Sequence, residues 1–300
     1  MRDSVESSGD VPLETPELGR RHRQRQRLPS TLVIGAVLVL LFVGIGLLSL
    51  VWTPYDPEGV NVDLRLLPPG SEGHVFGTDR LGRDVLTQIM AGARNSLLVG
   101  VLSTVAALIP GLLLGLAAAG SGPAWQTTLS RLADVGVALP GVLVALVLAT
   151  SMGPGNAAAI TAIIVWFVPV VARVVIGPAK QVLSRDFVEA AFAYGRRRWY
   201  ILFRHVVPNI GPLLIVQASV MIAIAILIEA ALSYLGVGAQ RPTPSWGRLL
   251  NEAQPLIFDA PYLMVFPGVA IMLAVLGFNL LGDGLRAILD PQQESRGAAV

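Results

Sequence analysis

Cysteine is absent from the 300 residues, which excludes a disulfide framework and thiolate metal sites and leaves the redox compartment open. Lysine is nearly absent. Its one occurrence, Lys180, follows Ala179, whereas a phosphate-cradling P-loop needs a Gly-Lys pair, so the chain has no Walker lysine of its own. The three histidines, His22, His74 and His205, are scattered, and neither an HExxH nor a GxSxG pattern occurs. A zinc or serine hydrolase needs convergent ligands or a nucleophile–base set, and none can be assembled. Charge is scarce as well, at 14% of residues with a net of +2. The pI of 9.3 reflects the arginines, and no nucleic-acid partner is expected.

What is present is apolar. Hydrophobic residues make up 53% of the chain and the mean hydropathy is +0.65, outside the range of ordinary soluble domains. About 20 apolar residues suffice to cross a bilayer. On that rule six spans are expected, at 30–52, 95–119, 131–150, 157–178, 210–235 and 262–286, with Pro169 a kink inside the fourth. Residues 1–29 read as a basic cytoplasmic tail without fixed structure, and 292–300 as a short second tail. The segment 53–94 is too charged to lie in hydrocarbon; Val85, Ile89 and Gly92 suggest an amphipathic surface helix within it. Gly111 and Gly115 form a GxxxG, which in a chain so rich in small residues reads as a chance match.

The distribution of basic residues orients the spans. With the N-terminus inside, only Arg65, Arg80, Arg83, Arg94, Arg241 and Arg248 fall outside, leaving sixteen of the 22 basic residues on the cytoplasmic side. Both termini are then cytoplasmic, as is the stretch Arg185–Pro208.

That stretch reads RDFVEAAFAYGRRRWYILFRHVVP. Asp186 precedes Glu189 by three residues, a capping-box-like pair for a short helix. Phe187, Ala190, Ala191 and Tyr194 share one helical face, and Gly195 suits a left-handed helix end. Arg196, Arg197 and Arg198 lead into a second amphipathic turn with Trp199, Phe203, His205 and Val206, which Pro208 closes before the next apolar run. On pattern alone it is either a basic loop that fixes topology or a docking element. Glu189-Ala190-Ala191 followed by Gly195 and Pro208 resembles the EAA loop of ABC-importer permeases.

Three more stretches resemble the C-type permease of dipeptide, oligopeptide and nickel importers. One is Phe76-Gly77-Thr78-Asp79-Arg80-Leu81-Gly82-Arg83-Asp84, with Gly92–Leu97 (GARNSL) behind it. Another is Glu229–Gly238 continuing through Pro244–Gly247, and the last is Pro267-Gly268 with Asn279–Arg286 and Asp290-Pro291. The resemblance covers about 30–291. It implies an all-α membrane protein with the type I importer (MetI-like) fold, six transmembrane helices and a five-helix core at 95–291. It also implies partners: a second homologous permease, two cytoplasmic ATPase subunits that use ATP and Mg, and an extracytoplasmic solute-binding protein. No cofactor is expected on this chain. The cargo implied is a peptide, or alternatively nickel or another small solute.

Phe76–Asp84 has too many glycines and charges for a buried helix and is expected as an outer elbow, either bracing the fold or touching the binding protein. Glu229 and Asp134 are acids within or near spans, and such residues suggest a proton relay or a substrate path. A structural role near a helix end is the favoured reading of both. A proton-coupled secondary transporter would show inverted repeats, and none is evident in the chain.

Overall fold

The computed structural model of the protein describes residues 28–71 and 73–289. The expected tails, Asp290 and Pro291 lie outside these, apart from Leu28 and Pro29. Among the described residues the structure is helical, with no strand. Its helices are α1 (Ser30–Leu48), α2 (Val85–Gly120), α3 (Pro123–Ala138), α4 (Gly141–Met152), α5 (Asn156–Leu183), α6 (Asp186–Ala193), α7 (Arg198–Ile201), α8 (Val207–Tyr234), α9 (Trp246–Ala253) and α10 (Tyr262–Leu289).

Among the described residues five units are long and apolar enough to cross a membrane: α1, α2, α5, α10 and the run from Arg198 to Tyr234. The expected third span is instead a bent pair, α3 and α4, which meet at 84°. Pro140 precedes α4 and cannot donate the hydrogen bond that would continue α3.

Two boundaries differ from the sequence reading. The surface helix expected near 85–92 is the start of α2, whose 36 residues extend about 54 Å and overshoot a hydrocarbon core of about 30 Å. Pro208 does not close its segment either. A π turn at Leu202–Val206 joins α7 to α8, and Pro208 falls in the first turn of α8. The wider turn shifts the hydrogen-bond register just ahead of the proline, whose missing N–H is tolerated at a helix start.

The core is a contact of α2 with α5. A Cβ built on Gly111 would lie 2.5 Å from Val171 Cβ, and one on Gly115 would lie 2.7 Å from Val175 Cβ. The GxxxG is therefore a real helix contact and not a chance match: backbone and side chain approach where any larger residue would collide. Leu116, Ile163, Phe167 and Met221 extend this core. At the periphery α1 lies along α10 and buries only Gly35, Phe42 and Gly46.

The connections collect at two ends. Residues 53–84 and 235–261 meet at one, joined by contacts such as Arg83 to Glu252. Ser184–Val206 lies at the other, where Leu202 and Arg198 approach Gly120. Since Gly284 lies against Leu32, the described chain begins and finishes at this second, arginine-rich end.

Candidate functional site

At the arginine-rich end α6 is rooted by Val188, with Ala191 packed beside it. Val188 is fully buried in the main core, while Phe187, Glu189, Ala190 and Tyr194 face outward and Ala191 is half-buried. Arg185 occupies the N-cap with no side-chain hydrogen bond, so the expected capping box is not formed. Asp186 and Glu189 both sit in the first turn, where a carboxylate is favoured by the helix dipole. The chain reverses at Gly195 with φ +74°. Beyond it Arg196 lies over the Tyr200 ring, 5.1 Å from its centroid.

Phe187, Ala190, Ala191, Tyr194, Gly195 and His205 line an open groove between α6 and α7. Tyr194 is 86% exposed and Trp199 58%, with Arg196, Arg197 and Arg198 alongside, also exposed. Pro208 is exposed nearby. Solvated chains rarely leave so many aromatic rings uncovered on one face, and a partner surface is the usual reason.

At the opposite end Phe76–Asp84 forms a clasp. Asp79 Oδ1 accepts from the N–H groups of Leu81 (2.8 Å) and Arg83 (2.9 Å), and Oδ2 from Arg83 Nε (2.7 Å). Arg83 Nη2 reaches Glu252 at 2.8 Å. Asp84 caps α2 by accepting from Thr87 N (2.7 Å) and contacts His74 Nδ1 (2.9 Å). Thr78 accepts from Leu67 N and donates to the Leu64 carbonyl. Phe76 stacks on Phe266 with centroids 4.2 Å apart. Gly82, at φ +71°, sits where a Cβ would fall 1.7 Å from Asn61 O. Thr78, Asp79, Arg83 and Asp84 are all buried, so their bonds are spent inside the molecule. Half-buried Leu81 and exposed Arg80 leave little of the motif free. This geometry favours bracing over docking.

Glu252 completes the clasp. Its Oε1 accepts from Arg241 (2.8 Å) and lies 3.4 Å from Arg248 Nε. Burial pushes the carboxyl up, but the Arg241 hydrogen bond and the charges of Arg83, Arg241 and Arg248 outweigh it and hold the group below the usual carboxylate range.

Glu229 is not near a helix end open to water. It is fully buried and is the hub of a hydrogen-bond network. Oε1 accepts from Asn95 Nδ2 (3.1 Å), Ser233 Oγ (2.8 Å) and Ser245 Oγ (2.8 Å), and Oε2 from Ser96 Oγ (3.1 Å). Asn156 at the start of α5 donates to Asn95 Oδ1 at 2.5 Å. Ser233 itself accepts from Ala239 N at 3.0 Å. This geometry favours a structural role for Glu229: α2, α8 and the approach to α9 are pinned to one carboxylate, and α5 joins through Asn95. Asn95, Ser96, Asn156, Ser233 and Ser245 were not singled out from sequence. The signal lay in their stretches, GARNSL, EAALSYLGVG and PSWG, which converge here. Asp134 is paired with Arg173, 3.0 Å away on α5.

Residues 111–295 match the family described as "Binding-protein-dependent transport system inner membrane component". The dipeptide transport system permease protein DppC of Alkalihalophilus pseudofirmus is 40% identical over 263 residues, 88% of this chain and 86% of the relative. The glutathione transport system permease protein GsiD of Pectobacterium atrosepticum is 39% identical over 264 residues, 88% of this chain and 87% of the relative. The di/tripeptide transport system permease protein DppC of Pseudomonas aeruginosa is 40% identical, covering 86% of this chain and 88% of the relative. Among solved structures, a chain of the MetNI methionine ABC transporter in inward-facing conformations superposes with a TM-score of 0.57 at 20% identity. It covers 67% of this chain and 96% of that one, a likeness of fold.

Proposed function

We propose a function from one premise: this chain belongs to the family of inner membrane components of binding-protein-dependent transport systems. It is accordingly a multi-pass protein of the cytoplasmic membrane with the MetI-like permease fold. On our reading it is a permease subunit of an ATP-driven importer of dipeptides or oligopeptides, its relatives being named for dipeptides and di/tripeptides. The reading adds a second homologous permease, two ATPase subunits that bind ATP and Mg, and an outer solute-binding protein. This chain itself contributes no ATPase site.

The observation that carries the reading is the groove between α6 and α7. The segment that resembles an EAA loop is the one that leaves Phe187, Ala190 and Tyr194 uncovered, while Val188 ties its helix to the main core. A lever needs both a free face for the partner and a rigid root in the bundle. The arginine-rich end would then face the cytoplasm and the clasp the outside.

Co-purification is the test. The chain should isolate with its ATPase subunits, and peptide-loaded binding protein should stimulate ATP hydrolysis in vesicles. Glu189→Lys, which puts a cation among Arg185 and Arg196–Arg198, should reach the membrane and lose the stimulation. Single cysteines should label from the cytoplasmic side at position 194 and from outside at position 243. Undiminished stimulation in Glu189→Lys, or labelling of 243 from the cytoplasm, would overturn the assignment.

A further inference from the structure

The pair Asp134–Arg173 is out of place for a lipid-facing surface. Arg173 Nη1 lies 3.0 Å from Asp134 Oδ1, yet the side chains are 58% and 39% exposed. Arg173 is 17 residues beyond the start of α5 and 10 before its end. At 1.5 Å per residue it stands about 26 Å and about 15 Å from the two ends of the helix. A bilayer core of about 30 Å centred on α5 would include it. A charge at that depth faces water or protein and not lipid tails.

The rest of the exposed face of α5 agrees. Val165, Arg173, Gly177 and Gln181 are its exposed positions over the last five turns, and two of the four are polar. Peripheral α1 exposes Leu40, Leu41, Leu47 and Leu48 instead, a surface suited to hydrocarbon. The two helices differ in what they are built to meet.

We propose that Asp134 and Arg173 form a charged station on the solute path, where a zwitterionic peptide exchanges its ammonium and carboxylate for the two partners of the ion pair. This rests on the importer reading above. A dipeptide extends about 7 Å, so the pair, closed at 3.0 Å, has to open for an acid and a base to receive the two termini. Because the pair is exposed, each partner keeps unused capacity: the carboxylate has a second oxygen, and the guanidinium further N–H groups. An exposed pair is also weak enough to open. A buried pair such as Arg83–Glu252 would hold cargo out.

The absence of cysteine from this chain leaves an engineered thiol as its only one. Arg173→Cys, in the complete importer reconstituted in liposomes, should react with a charged methanethiosulfonate reagent. Leu40→Cys on α1 should stay unreactive. An unreactive Arg173→Cys importer would place the pair against the second permease and overturn the proposal. The double variant Asp134→Asn/Arg173→Gln removes both charges without orphaning either. Its peptide uptake per ATP hydrolysed should fall about fivefold, the scale of one exposed ion pair; an unchanged ratio also overturns the proposal. If the parent importer hydrolyses ATP yet carries no peptide, the cargo reading fails instead, and the reactivity of the Arg173→Cys variant still reports whether the position faces water.

Discussion

Replacing Glu229 by alanine removes the acceptor for four donors at once. Two of them can recover. Ser96 and Ser233 sit within helices and their hydroxyls can turn to the carbonyl four residues earlier. Asn95 and Ser245 have no such fallback, since Asn95 Nδ2 points into the network and Ser245 precedes α9. Each unmade buried hydrogen bond costs about 1–3 kcal/mol, and the vacated side-chain volume adds to it. Relief from burying a carboxylate offsets part of this. The net expected loss is about 3 kcal/mol, or on the order of 10 °C in the unfolding midpoint. Glu229→Gln isolates the cause. Its carbonyl can still accept from Asn95, Ser233 and Ser245, and its amide can donate to the Ser96 hydroxyl, so it should remain within about 1 kcal/mol of the parent. Thermal unfolding in detergent, followed by circular dichroism and tryptophan fluorescence, reads both variants. A Gln variant as unstable as the Ala variant would show that charge, and not acceptor geometry, holds the network. An Ala variant as stable as the parent would refute the hub altogether.

Gly195→Val should cost about 1–3 kcal/mol through backbone strain alone, because φ is +74° there while nothing lies within 4 Å of the added Cβ. Gly195→Asn, which tolerates that conformation, should retain ATPase stimulation where the valine variant loses it. Gly111→Leu should destabilise the α2–α5 contact by about 1–3 kcal/mol or more, read as a lower midpoint in a thermal melt, because the new side chain meets Val171 Cβ and the Val168 carbonyl. For the clasp, Glu252 releases its proton more readily folded than unfolded. The stability it adds is therefore complete above the ordinary carboxylate value of 4.5 and fades as pH falls through the lower folded value. The gap in melting temperature between the parent and Glu252→Gln should be open at pH 7 and narrow below about pH 4.5; a gap that widens in acid would contradict the ion-pair account.

Much of the architecture was legible because membrane spans are a compositional property. An apolar run such as Ser30–Leu48 or Tyr262–Leu289 must cross as a helix, since lipid offers its backbone no hydrogen bonds. Gly195 was legible too, because a glycine after an amphipathic turn ends a helix by its own conformational preference. These features depend on neighbours in the chain.

The failures share the opposite character. Whether Gly111 and Gly115 matter depends on Val171 and Val175, some 60 residues away. The continuity through Pro208 depends on the π turn at Leu202–Val206, which no residue pattern announces. Asp186 resembled half of a capping box, but the chain entering from α5 placed Arg185 at the cap instead. Glu229 is the clearest case. Local sequence identified an acid in an apolar run and could not say what it faced. Only the packing of α2, α8 and the approach to α9 brought Asn95, Ser96 and Ser245 onto it, with Asn156 of α5 behind Asn95, because the partners of a buried carboxylate are set by three-dimensional distance and leave no periodic trace along the chain.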